Sequence, residues 1–180
     1  MSPRSQPRIM VAVASRHKAT AEIGSRIAEV MNRSDVDASF TLLDDSTVTG
    51  DFDAFVVGSA VYAGRWLPEA RDFVKQHKQE LAGKPVFLFS CGPVGEEPLP
   101  HEDPFDIERM SLLSTARDHR IFGGRLDHTK LGMLERGIVM ALGAPEGDYR
   151  PWADIDAWAD NIAATLIDES AGSPRGQSTH

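Results

Sequence analysis

The chain has 180 residues, 41% of them hydrophobic, with a formal net charge of −8; this fits one domain burying a continuous core beneath a single sheet. The acidic balance argues against a nucleic-acid partner, whose phosphates call for clustered Lys and Arg, and favours basic partners instead. The single cysteine excludes an internal disulfide and a cysteine-built zinc or iron–sulfur site, and, with no apolar run near the ~20 residues that span a bilayer and no apolar centre in Met1–Arg8, a cytoplasmic protein is expected.

In chain order, residues 1–8 read as a flexible N-terminus and residues 9–168 as the domain. The run Ile9-Met10-Val11-Ala12-Val13-Ala14 has the composition of a strand buried on both faces, and Ile23, Ile27, Val30 and Met31 then recur at helical spacing. Ala38–Leu43 and Asp53–Gly58 are further strands. A helix follows Trp66-Leu67-Pro68, with Pro68 in its first turn, Ala70, Phe73, Val74, His77 and Leu81 on one face, and Gly83 and Pro85 stopping it. Lys84–Phe89 reads as a strand, a helix falls between Phe105 and Arg117, and Arg120–Gly123 reads as the last strand. Leu131–Leu142 carries an apolar stripe of Leu131, Leu134, Ile138, Val139 and Leu142, with Lys130, Glu135 and Arg136 nearby. Such a stripe most often packs on its own domain; a quinone, a membrane surface met peripherally, or a second copy in a homodimer are the alternatives. The final helix starts near Pro151, and Ile155, Trp158, Ala159, Ile162 and Leu166 can close the second face of the sheet. Residues 169–180 are too polar and glycine-rich to bury surface and read as a disordered tail.

Strand and helix alternate, which with right-handed crossovers specifies an open parallel sheet covered by helices on both faces. Ligands of such sheets bind where loops leave the carboxyl ends of the strands. Three segments lie there. Ser15, Arg16, His17, Lys18, Ala19 and Thr20 join the first strand to the first helix, where unpaired N–H groups at the positive end of a helix dipole, flanked by two hydroxyls, suit a phosphate. Ser59, Ala60, Val61, Tyr62, Ala63 and Gly64, with Trp66 just beyond, offer small residues, N–H groups and aromatic rings. Ser90, Cys91, Gly92, Pro93, Val94 and Gly95 have the small, turn-prone composition that lets backbone approach a flat ligand. A phosphate cradle beside two backbone-rich loops, one bearing aromatics, matches the needs of flavin mononucleotide (FMN).

On these residues the chain resembles the flavodoxin-like family, and within it the branch related to menaquinone-dependent protoporphyrinogen IX dehydrogenase. That branch carries a phosphate loop of Thr or Ser, two variable residues, Gly, one variable residue and Thr, read here as Ser15-Arg16-His17-Lys18-Ala19-Thr20, with Lys18 at the glycine place. Val57-Gly-Ser-Ala-Val-Tyr-Ala-Gly64 with Trp66 resembles its first isoalloxazine loop, and Leu131–Gly147 resembles the insertion, at about 125–150, between the last strand and the last helix. The resemblance implies a three-layer sandwich around a five-stranded parallel sheet of order 2-1-3-4-5, with FMN as cofactor. It also implies electron transfer with a redox partner protein or a small-molecule donor or acceptor, a quinone among them. A dehydrogenase of the branch's type is the alternative, and a cofactor-free interaction module on the same fold a second.

Other chemistries fit less well. A lone Cys91 is most often a small buried hydrophobe, so backbone contact alone is assigned to it. Residues 96–103 are acidic but proline-broken, which reads as a solvated loop rather than a metal site. The first turn has no glycine triplet for a dinucleotide pyrophosphate. Gly58-Ser59 and Ser15-Arg16 stand where a receiver domain needs acidic residues. No catalytic dyad is visible, so sequence leaves carrier and enzyme open, as it does FMN against a deazaflavin analogue.

Overall fold

A computed structural model describes residues 6–92, 106–143 and 146–172 of the chain. Strands β1 (Arg8–Ala14), β2 (Asp37–Leu42), β3 (Ala54–Tyr62), β5 (Val86–Cys91) and β6 (Asp118–Phe122) form a parallel sheet in the order β2-β1-β3-β5-β6. The expected order of the five principal strands is therefore the observed one. Two-residue β4 (Arg65–Trp66) folds back antiparallel on the end of β3, an element the sequence reading did not contain.

The alternating residues of the central strands divide the core into two clusters. Ile9, Val11 and Val13 of β1 and Phe87 and Phe89 of β5 face α1 (Ala19–Met31) and α6 (Trp152–Gly172). Met10, Ala12 and Ala14, with Val86 and Leu88, face α2 (Pro68–Gln76), α3 (Lys78–Ala82) and α4 (Ile107–Ser114). The final helix thus shares the face of α1 instead of closing the second face. Crossovers of one hand that run outward from β1 in opposite directions put their helices on opposite sides, and α6 fills the space beside α1. Arg26 of α1 and Asp156 of α6 seal that contact with paired bonds of 2.7 and 2.6 Å.

Two close approaches depend on missing side chains. A Cβ on Gly24 would fall 2.5 Å from Val13 Cγ2, so α1 lies directly on β1, and a Cβ on Gly58 would fall 2.1 Å from the Phe89 ring. The helix expected from Pro68 to Gly83 is two pieces, broken at His77 (φ −104°, ψ 19°), whose imidazole lies 3.2 Å from the Thr47 carbonyl.

Between β6 and α6 the insertion is closed at its base by an antiparallel ribbon of β7 (Arg125–Leu126) and β8 (Gly147–Asp148). A 3-10 turn at His128–Lys130 and α5 (Met133–Leu142) lie between them. The stripe on α5 was expected to pack on the domain, yet Leu134 is 79% exposed, as are its neighbours Met133 (94%) and Met140 (69%). Leu131, at the start of the stripe, is half-buried. The side chains of Ile138, Val139 and Leu142 lie outside the description, as do residues 144–145.

The termini differ by a few residues from expectation. β1 begins at Arg8, inside the assigned N-terminal segment, and α6 runs to Gly172, where Ser170 Oγ donates to the Leu166 carbonyl. Residues 1–5 and 173–180 lie outside the described residues. Among the described residues, no helix is long and apolar enough to cross a membrane.

Candidate functional site

Register carries the three sequence-assigned segments to one line across the sheet. Ala14 of β1 pairs with Ser59 of β3, and Ser59 with Ser90 of β5. The residues after them leave the same rim, beside the point where strand order reverses between β1 and β3, where open parallel sheets hold ligands.

The first segment has the geometry of an anion cradle. α1 starts after Lys18, whose backbone is left-handed at φ 67°, ψ −23°, and no side chain caps the helix. The first N–H groups of such a helix have no intrahelical partner and lie at its positive end. Glycine normally takes this conformation, and lysine holds it at a strain of roughly 1 kcal/mol or more. Ser15 Oγ is buried with no hydrogen-bond partner among the described atoms. Thr20 is 3% exposed, and its hydroxyl bears on the Cys91 thiol, so this residue offers a ligand its backbone N–H.

Arg16, His17 and Tyr62 come together although 45 residues and more separate them. The Arg16 guanidinium carbon lies 4.6 Å from the Tyr62 ring centroid, and the His17 ring lies 6.2 Å away at 58°. The hairpin therefore reaches the turn between β1 and α1. Its turn, Ala63-Gly64, has both residues at positive φ (49° and 73°), the conformation that two-residue hairpins favour.

Behind the hairpin the assigned side chains turn inward. Trp66 is 2% exposed and its indole N–H donates to Ser90 Oγ at 2.8 Å. Ser90 Oγ also meets His119 Nε2 at 2.8 Å. Ser59 Oγ accepts from Leu67 N at 2.9 Å and donates to the Ala60 carbonyl. Asp106, at the start of α4, accepts from Trp66 N at 3.2 and 3.3 Å and lies 3.7 Å from Arg71 Nε. Ser59, Ser90 and Trp66 thereby brace the rim with their side chains. Ala60 is buried, Val61 and Tyr62 are half-buried and Ala63 is exposed.

At the third segment, Gly92 (φ 97°) spends its N–H on the Phe122 carbonyl at 2.9 Å. Cys91 is buried, and burial pushes its thiol up to about 11 against a smaller opposing effect of the Thr20 hydroxyl. A thiol of that kind is not a nucleophile near neutrality. Pro93, Val94 and Gly95, the acidic stretch at 96–103 and Phe105 lie outside the described residues. Among the described residues there is no cluster of ligands for a metal ion.

One group was not legible in the sequence. Glu22, in the first turn of α1, is met by Arg125 of β7 and by Arg150, which follows β8 and is 8% exposed. Arg150 also grips Asp148 through two bonds of 2.7 and 2.6 Å. The Arg150 hydrogen bond holds the carboxyls of Glu22 and Asp148 below their ordinary values, with burial opposing. The partners stand more than 100 residues apart in sequence, and no local pattern announces them.

Residues 10–150 match the family model of the flavodoxin domain. The chain belongs to the flavodoxin domain family. Among solved structures, the flavodoxin domain of this chain is similar to rubredoxin oxygen:oxidoreductase of Desulfovibrio gigas (TM-score 0.63, 12% identity), matching 94% of this chain and 38% of that one. It is also similar to a flavodoxin from the domain Archaea (TM-score 0.59, 15% identity, 89% of this chain and 99% of that one). Flavodoxin 2 from Bacillus cereus is a third (TM-score 0.56, 19% identity, 90% and 99%). No curated protein matches the chain.

Proposed function

We propose that this protein binds FMN at the rim described above and carries electrons through it. The observation that carries the reading is the opening of α1: an uncapped first turn, Lys18 held left-handed as a glycine would be, and a buried Ser15 hydroxyl with no partner. An unsatisfied buried hydroxyl costs about 1–3 kcal/mol, and a phosphate oxygen would remove that cost. The donor set therefore fits the group, and family membership supports the same cofactor.

In this reading the Ser15 hydroxyl and the N–H groups of Ala19 and Thr20 hold the phosphate, with Arg16 and Lys18 supplying positive charge around it and His17 beside it. Tyr62 is the ring that would stack on a flavin, and backbone at Ala60–Gly64 would contact its polar edge. The bound flavin supplies the redox chemistry, and the protein supplies orientation and electrostatics. Trp66, by its indole bond to Ser90, keeps the hairpin in place from below.

A fluorescence titration tests the reading. FMN emission should be quenched to a saturating one-to-one endpoint, and Ser15→Ala should weaken binding by about 0.5–1.5 kcal/mol. FMN that stays fully fluorescent beside excess protein contradicts it.

A dehydrogenase of the protoporphyrinogen type is the second reading, favoured by the exposed Met133, Leu134 and Met140 on α5 in the insertion. Turnover with protoporphyrinogen and a menaquinone analogue separates the two. Acceleration by both substrates supports the enzyme; flavin that is reduced without such acceleration supports the carrier.

A further inference from the structure

Glu22 occupies the first turn of α1, beside the N–H groups that form the cradle. A carboxylate there satisfies the positive end of the helix and repels an incoming anion. Its charge is balanced from a distant part of the chain. Arg125, on β7, donates to Glu22 from Nη1 and Nη2 at 3.3 and 3.4 Å. Arg150, beyond β8, donates to Glu22 as well, and its Nη1 reaches the Ala19 carbonyl at 3.4 Å. Arg150, however, is already matched by Asp148, which it holds through two bonds. The two arginines together balance two carboxylates, Glu22 and Asp148, so without Arg125 the group keeps one uncompensated negative charge beside the first turn of α1. Arg125 lies in the ribbon that closes the insertion, paired with Asp148, and Arg150 follows it.

We propose that Arg125 is a specificity-determining residue for phosphate-bearing flavins: by cancelling Glu22 at the mouth of α1, it lets a dianion occupy the first turn, and the base of the insertion thereby becomes an electrostatic part of the phosphate site. The inference rests on the FMN reading above. It makes Arg125 a residue that acts through Glu22 and touches no part of the flavin ring.

Charge-compensating variants and two flavins provide the test, because riboflavin carries the same ring and no phosphate. Arg125→Gln leaves Glu22 partly unbalanced and should weaken FMN binding about five- to tenfold, with riboflavin affinity moving less than about twofold. Glu22→Gln should shift FMN affinity in the opposite direction by a similar factor. The double variant should return close to the unaltered protein. All of these shifts should shrink as ionic strength rises from about 0.02 to about 0.5 M, where the Debye length falls below about 5 Å. A purely structural role predicts a different pattern: both flavins weakened together, and the same sign for both single variants. That pattern, or an FMN-to-riboflavin ratio that neither variant moves, overturns the inference while the FMN reading stands. Failure of the unaltered protein to bind either flavin overturns the FMN reading and this inference with it.

Discussion

The indole N–H of Trp66 donates to the hydroxyl of Ser90 at 2.8 Å, across a distance of 24 residues, with neither side chain reaching solvent. This bond ties the β3–β4 hairpin to the end of β5 and so fixes the spacing between two of the three segments at the rim. Ser90→Ala leaves a buried donor without its acceptor and should lower stability by about 1–3 kcal/mol. Adding Trp66→Phe removes the orphaned donor, so the double variant should cost less than the sum of the single ones in urea unfolding. Strict additivity would place the indole bond elsewhere.

Cys91 should be inert in the folded protein. Burial holds its thiol near 11, which leaves little thiolate at pH 8. A thiol reagent such as dithionitrobenzoate should label it only after unfolding in guanidinium, and rapid labelling of the native protein at pH 8 would contradict the packing of β5 against α1.

Lys18 combines a strained backbone with a favourable charge. Lys18→Gly relieves the left-handed strain at φ 67° and should raise unfolding stability by about 0.5–1.5 kcal/mol. The same change removes a cation beside the cradle and should weaken FMN binding a few-fold. Stability and affinity are thus expected to move in opposite directions, measured by urea unfolding and by fluorescence titration.

The link between α1 and the insertion is pH-dependent, with its sign set by Arg150. Because the Arg150 hydrogen bond depresses the carboxyls of Glu22 and Asp148 in the folded state, their contribution to stability is present above the ordinary carboxyl values of 4.5 and 3.8. It is lost as pH falls through the lower folded-state values. Thermal unfolding followed from pH 7 down to about pH 3 should show a steeper loss in the unaltered protein than in Asp148→Asn, which has one such carboxyl fewer. Parallel curves would remove Asp148 from the network.

Strands β1, β3 and β5 were legible because a strand buried on both faces reads as an unbroken apolar run, and Val11, Val56 and Leu88 each sit at the middle of one. The turn at residues 15–20 was legible as a polar break between such a run and a helix, but the inward course of the Thr20 hydroxyl was not, because it is set by Cys91 on another strand. The hairpin at Ala63-Gly64 was hidden because alanine stands where asparagine or glycine would mark a turn at positive φ. Trp66 gave no sign of its orientation, which is set by Ser90 on another strand. The ion group of Glu22, Arg125, Asp148 and Arg150 is assembled by the fold and left no periodic trace. For α5, helical spacing announced an apolar stripe, but spacing alone does not say which side meets the core, and Leu134 is exposed.

In the proposed FMN complex a phosphate monoester sits at the opening of α1 between Ser15 and Thr20. Phosphorus NMR of FMN mixed with the protein tests this most directly. Free FMN changes shift as its phosphate titrates near pH 6. A phosphate enclosed by N–H groups and the Ser15 hydroxyl should hold one shift from about pH 5 to about pH 8, as a dianion kept from protonation. A bound flavin whose phosphorus signal titrates like the free compound would contradict the claim.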